Sequence, residues 1–194
     1  MGDASRDDGL HHEHDSDEYD HHTHDPDHHA HDRENISAGV VTVSTSRGTD
    51  DDPSGDAIIE IIEEHGIELA HRELVDDEFD RVQQTVDTLS SRDDVDLIVT
   101  TGGTGVTPDD VTVEAVEPLL DKTLPGFGEL FRTLSYEEVE TRIVATRAVA
   151  GITEDVPVFC LPGSENAVRL GTREIIVEEA PHLVGLFTRE NETG

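Results

Sequence analysis

Asp96-Leu97-Ile98-Val99-Thr100-Thr101-Gly102-Gly103-Thr104-Gly105-Val106-Thr107-Pro108-Asp109-Asp110 is the stretch on which the reading of this chain turns. Residues 96–100 are an unbroken strand-like run, and three glycines follow within four positions. Glycine allows a backbone path that a Cβ would forbid, and it lets a phosphate come close to main-chain amides. The acids Asp109 and Asp110 come next and can hold the metal that such a phosphate requires.

Outward from this junction, short β-branched runs alternate with longer amphipathic stretches from Ile36 onward, the signature of a parallel sheet with crossover helices. Strands are expected at Gly39–Val43, Ile67–Val75, Asp96–Thr100 and Pro157–Leu161. Helices are expected at Ser54–Glu64, Asp77–Leu89, Phe127–Leu134 and Ala167–Glu179, with another marked by Val111, Val113, Val116, Leu119 and Leu120. Residues 144–150 fit helix or strand equally. In an open sheet of this kind ligands bind beyond the carboxyl ends of the strands. The glycine turns after Thr100 and after Leu161 both fall there.

The glycine loop lacks the Gly-Lys-Ser/Thr ending of a Walker loop, and Gly102, Gly103 and Gly105 do not have dinucleotide-fingerprint spacing. Lys122 is the only lysine. Neutralising a phosphate therefore falls to backbone amides, a helix N-terminus and a divalent metal; Mg²⁺ characteristically takes one or two protein carboxylates. Asp110 and Asp77, each at a strand-to-helix turn, are the candidate ligands. Each also has a capping alternative: Thr107 can cap a helix beginning at Pro108 with Asp110 at its third position, and Asp77 can cap the second helix.

The 194 residues carry 46 acids against 13 bases, a formal charge of −33. Such a chain repels nucleic acids and anionic membranes, so neither is an expected partner. Lysine depletion with abundant Asp and Glu points to a very salty cytoplasm, where at about 1 M salt the Debye length is only ~3 Å. The single cysteine, Cys160, excludes an intrachain disulfide and sits in an apolar run as a buried thiol. No stretch is apolar for long enough to span a membrane, and the N-terminus lacks a signal-peptide pattern, so a cytoplasmic location is expected.

Composition breaks near residue 36. Residues 1–35 hold nine of the twelve histidines and scarcely an apolar side chain, and are expected to be a disordered His/acid-rich tail. Clusters such as His21-His22-Thr23-His24 can chelate zinc, nickel or copper, or can simply be part of a solvated acidic tail. Residues 36–194 form the folded domain. Its histidines, His65, His71 and His182, read as surface or packing residues.

Three segments taken together resemble a family. Thr100–Thr112, then Leu124-Pro125-Gly126-Phe127-Gly128-Glu129-Leu130-Phe131-Arg132, then Leu161-Pro162-Gly163-Ser164-Glu165-Asn166-Ala167-Val168 look like the successive signatures of the MogA/MoaB-like molybdopterin adenylyltransferases of molybdenum-cofactor synthesis. The gephyrin-type domain shares this fold. Val43–Arg47, Asp52–Gly55 and Leu74–Glu78 agree with earlier loops of the family, and the resemblance covers roughly residues 36–190.

The resemblance implies a three-layer α/β/α domain with a mostly parallel sheet, usually trimeric. It implies a transferase that uses Mg²⁺ and ATP to adenylylate the terminal phosphate of molybdopterin, releasing pyrophosphate. By position, Asp110 and Asp77 match the acidic catalytic and metal-binding residues. Thr101, Gly102, Gly103, Thr104 and Gly105 would cradle nucleotide phosphate, and Pro162, Gly163 and Ser164 would close the other wall. Glu129 would lie at the pocket edge, with Ser44 and Ser46 facing the pterin. Asp109 stands where many relatives have arginine, which shifts the burden of holding phosphate to metal or to Arg47. The product would pass to a molybdenum-insertase protein. Rival readings are a non-catalytic molybdopterin carrier, including one for tungsten cofactor, a molybdate-inserting enzyme, for whose extra domains there is no room, and a nucleotide-binding regulatory module.

Overall fold

The computed structural model describes residues 33, 35–45 and 51–192, with side-chain surroundings to 187. The expected tail therefore lies outside the described residues, except for Arg33 and Asn35. Arg33 is already tied to the body, donating from its guanidinium to Asp96 (2.6 Å) and from its amide to the Pro181 carbonyl (3.1 Å).

A six-stranded sheet of order β2-β1-β3-β6-β5-β4 organises the domain. The strands are β1 (Ile36–Val43), β2 (Ile67–Val75), β3 (Leu97–Thr101), β4 (Lys122–Thr123), β5 (Val149–Thr153) and β6 (Val156–Leu161). The helices are α1 (Pro53–Glu64), α2 (Phe79–Ser90), α3 (Thr112–Val116), α4 (Pro125–Val139), α5 (Glu165–Gly171) and α6 (Val177–Glu192). Pairings β1–β2, β1–β3 and β3–β6 are parallel, and β5 and β4 add an antiparallel edge.

Successive strand residues face opposite sides, so a strand covered on both faces must be apolar throughout. Every residue of β3 and β6 is buried, as are all of β1 but Ser37. Val40, Leu97, Val99, Phe159 and Leu161 meet α1, α4, α5 and α6 on one side. Val41, Val43, Ile98, Val158 and Cys160 meet α2 and α3 on the other. These are the three expected layers. Phe159 is 1% exposed with its ring edge-on to Phe127 at 5.1 Å. Burying such a side chain stabilises the fold by about 2–3 kcal/mol.

Register decides where the site can be. Val43 pairs with Val75, Thr42 with Thr101, and Thr101 with Leu161, so four parallel strands end level with one another. The loops that leave them share one edge.

Residues 144–150 resolve as neither option alone. A tight 3-10 turn over Glu140–Ala145 leads into β5, which returns on β6 through the two-residue turn Glu154–Asp155. Both turn residues are left-handed (φ 48° and 67°), the geometry that matches strand twist in a two-residue hairpin. The helix after the glycine loop starts later than Pro108, at Thr112, and passes into a 3-10 turn at Glu117–Leu119. β4 has no sequence signal, being two exposed residues long. The last helix is longer than expected and is interrupted by a π turn at Thr172–Ile176, one turn before Pro181, which cannot donate an amide.

Candidate functional site

A cleft of about 470 Å³ opens at the level strand ends, lined by Val43, Ser44, Gly102–Gly105, Asp110, Arg142, Ala145, Thr146, Pro162 and Gly163. Gly102 (φ 98°) and Gly103 (φ 64°) are left-handed, and a Cβ on either would strike the Val43 carbonyl or the Thr112 hydroxyl. Only glycine permits this approach of the loop to β1 and α3. The Thr112 amide donates to the Gly103 carbonyl (2.9 Å) and its hydroxyl to the Gly102 carbonyl (2.8 Å), so the start of α3 fixes the loop. A Cβ on Gly163 would come within 3.2 Å of the Gly102 Cα, so the two glycine turns abut. Thr101 is buried beneath them, donating its hydroxyl to the Pro162 carbonyl (3.0 Å).

Asp110 reaches back across its own turn. Its Oδ2 accepts from both the amide and the hydroxyl of Thr107, each at 2.7 Å. Burial pushes its pKa up, but the Thr107 bonds, the Gly105 amide and the charge of Arg147 outweigh it and hold the carboxyl below its ordinary value. Thr107 thus caps nothing; Asp110 closes a turn that precedes α3. It is the one carboxylate lining the cleft among the described residues. Such a single anionic group suits Mg²⁺, which fills the remainder of its shell with phosphate and water.

Asp77 does not cap α2, whose first flanking residue is Glu78 with no side-chain bond. Its Oδ2 accepts the Thr45 amide at 2.8 Å, tying the loop after β1 to the loop after β2, and it does not line the cleft. Ser44 lines the cleft, whereas Ser46 and Arg47 lie outside the described residues. Glu129 borders a separate groove with Glu114, Arg132 and Arg147. Ser164 accepts from the Ala167 amide (3.4 Å) at the head of α5 and borders an apolar cavity of about 440 Å³. That cavity shares Arg142, Thr146 and Pro162 with the cleft. His65, His71 and His182 do not line the cleft. The described residues contain no group of three or more His, Cys, Asp or Glu side chains placed to hold a metal. Burial pushes the Cys160 thiol up to about 12, which makes it inert.

Sequence reasoning missed Arg147. Its Nε donates to the Gly105 carbonyl (2.6 Å), one terminal nitrogen to the Asp110 carbonyl (3.1 Å), and it pairs with Glu114. Its own amide donates to the Thr104 carbonyl (3.1 Å). One side chain therefore gathers the back of the glycine loop. It stands at the threshold of β5, in the segment whose periodicity gave no decision. Asp52 was also missed as a buried carboxylate. It accepts from Thr42 Oγ1 (2.6 Å), the Gly55 amide (3.0 Å) and Arg72 (3.0 Å), and joins β1, α1 and β2 below the cleft.

Residues 39–182 match the family model described as "Probable molybdopterin binding domain". The chain belongs to the MogA/MoaB-like family of molybdenum-cofactor biosynthesis. Over 157 residues, 79% of this chain and 93% of the relative, it is 43% identical to molybdenum cofactor biosynthesis protein B of Staphylococcus aureus strain MRSA252. It is 41% identical to the Bacillus subtilis protein of the same name, over 77% of this chain and 88% of that one. A crystal structure of a molybdenum cofactor biosynthesis protein B superposes with a TM-score of 0.78 at 39% identity, covering 80% of this chain and 97% of that chain. The tungsten cofactor synthesizing protein MoaB of Pyrococcus furiosus gives a TM-score of 0.68 at 40% identity, over 78% and 96%. Relatives of this MogA/MoaB-like family thus match the whole folded body, cleft included. No helix among the described residues is long and apolar enough to cross a membrane.

Proposed function

We propose that this protein adenylylates molybdopterin with ATP in an Mg²⁺-dependent reaction, in the cytoplasm and as a homotrimer, and that the product passes to a molybdenum-insertase protein. The observation that carries the reading is the cleft at the level strand ends, where left-handed Gly102 and Gly103 and the carboxylate of Asp110 border one space.

In the reaction an oxygen of the molybdopterin phosphate attacks the α-phosphorus of ATP. The bond from that phosphorus to the α–β bridging oxygen breaks, and pyrophosphate leaves with the electron pair. Bound Mg²⁺ supplies charge neutralisation for the polyphosphate. The chain's own part is positioning and electrostatics, without a covalent intermediate. The glycine loop brings main-chain amides to the phosphates, Asp110 would hold the metal, and Pro162 and Gly163 limit the cleft on the far side. Asp77 orients the Ser44–Thr45 loop, which fits a role in seating the pterin end. Glu129 and Ser164, in the adjoining groove and cavity, are placed for the outer parts of the substrates. Exposed Tyr136 (55%), Val139 (41%) and Val144 (84%), on α4 and the turn after it, support assembly with further copies.

Purified protein given molybdopterin, Mg²⁺ and α-labelled ATP tests the reading. Labelled adenylyl-molybdopterin with stoichiometric pyrophosphate is expected. Tight molybdopterin binding with no labelled product would leave a carrier in its place. The likeness to the Pyrococcus furiosus tungsten protein supports a second reading, the same transfer serving tungsten cofactor.

A further inference from the structure

Six of the nine arginines whose side chains are described pair with acids. Arg33 pairs with Asp96, Arg72 with Asp52 and Asp56, Arg92 with Asp94, Arg147 with Glu114, Arg169 with Glu60 and Glu165, and Arg173 with Glu64. Arg142 has no acid partner among the described residues, and it is the one cation among the residues lining the glycine cleft. Arg81 and Arg132 border other grooves, and Lys122 lies over the Phe187 ring at 5.5 Å. Arg142 is exposed and lines the cleft, so its guanidinium is available to an anion that enters there.

A second, independent observation concerns hydroxyls. Thr104 and Thr146 both line the cleft, and the hydroxyl oxygen of each is buried with no hydrogen-bond partner among the described residues. Thr104 is 1% exposed. Buried hydroxyls are rarely left unmet, and ones that border a cavity are met by an ordered water or by a ligand atom that displaces it. The glycine loop and its turn bring Asp109 and Asp110 but no base, so a polyphosphate there needs its cation from another segment. Arg142 and Thr146 come from the 3-10 turn after α4 and the residues beyond it, and Thr104 comes from the loop after β3.

We propose that Arg142, Thr104 and Thr146 form a polyphosphate-binding set. Arg142 supplies the charge-assisted contact, and the two hydroxyls donate to phosphate oxygens beside the glycine amides. The inference rests on the proposed reaction only for which polyphosphate occupies the site. It makes Arg142 a specificity residue for charged phosphate, working from a segment the glycine loop does not include.

Isothermal calorimetry of the full chain with inorganic pyrophosphate, free of divalent metal, tests it. Wild type is expected to bind, and Arg142→Gln to bind about tenfold or more weakly, the scale of one charge-assisted contact. Arg142→Lys should fall between the two, because lysine keeps the charge but not the fork. Affinity of wild type should drop steeply from about 0.2 to about 2 M KCl, and that of Arg142→Gln much less. Thr146→Val should weaken pyrophosphate binding while leaving the melting temperature unchanged or higher, because a methyl replaces an unmet hydroxyl. A merely structural Thr146 would not separate those two readouts. Wild-type affinity in Arg142→Gln, or no pyrophosphate binding by wild type, overturns the proposal. Arg142-dependent binding by a protein that makes no adenylylated product would uphold this inference and sink the reaction. Adenylylation with an unchanged KM for ATP in Arg142→Gln would do the reverse.

Discussion

Ser54, the second residue of α1, donates its hydroxyl to the carbonyl of Gly163 at 2.9 Å, across 109 positions of sequence. That bond pins the second glycine turn to the helix that follows β1. Gly163 in turn rests against Gly102. Ser54→Ala is predicted to destabilise the fold by only about 1 kcal/mol, the net worth of one hydrogen bond, yet to weaken molybdopterin or nucleotide binding severalfold by loosening the cleft wall. Denaturant melts beside calorimetric titrations check it, and unchanged affinity would remove Ser54 from the site's support.

Asp110→Asn keeps the shape of the side chain and an oxygen for Thr107. The predicted outcome is an intact fold with turnover lower by about 100-fold, the scale expected when a positioned charge is lost. Single-turnover kinetics at several Mg²⁺ concentrations provide the measurement. Full activity would reduce Asp110 to the closer of a turn.

Acid should act through Asp52. Burial pushes its pKa up, but the bonds from Thr42, Gly55 and Arg72 win and hold it below the ordinary value. A depressed folded-state pKa contributes stability that is complete above the unfolded value of about 3.9 and is lost as pH falls through the folded value. Asp52→Asn is thus predicted to cost about 2 kcal/mol or more at pH 7, with the deficit shrinking as pH falls from the unfolded value through the depressed folded one. Urea midpoints of both proteins across that range decide it; a deficit independent of pH would mean that shape, not charge, matters at this position.

Salt should stabilise the folded body, which carries 34 acids against 11 bases beyond residue 35. Raising KCl from about 0.1 to about 2 M is predicted to lift the melting temperature by about 10 °C as self-repulsion is screened. A flat response in scanning calorimetry would remove the inference of a saline habitat.

Legibility followed the type of interaction. β2 ends where its residue pattern places it, at Ile67 and Val75, and the two glycine turns sit at the strand ends, because apolar runs and glycines act locally. Arg147 and Arg142 were illegible for the opposite reason. The stretch Glu140–Arg147 has neither period; Arg147 acts through bonds to a loop some forty positions earlier, and Arg142 through its place in the cleft lining. Asp77 shows a third case: a helix-capping position in sequence, it caps a neighbouring loop in space. The antiparallel edge was hidden because β4 is two residues long and exists only by pairing with β5.

The two borders of the sheet are unequal, and this bears on how the protein keeps from sticking to itself. β4 offers a newcomer almost nothing to pair with, whereas β2 is nine residues long and pairs on one side only among the described strands. Along β2, Glu68, Arg72 and Glu73 are exposed. Charged residues on a bare edge deter strand addition by another chain. Repulsion between whole chains of high net negative charge is a separate, long-range barrier, and molar salt is the condition that removes it. The solvent predicted to firm the core therefore also lowers the barrier to edge-on association, which leaves the mixed charge pattern of β2, and not repulsion at a distance, as its safeguard in brine.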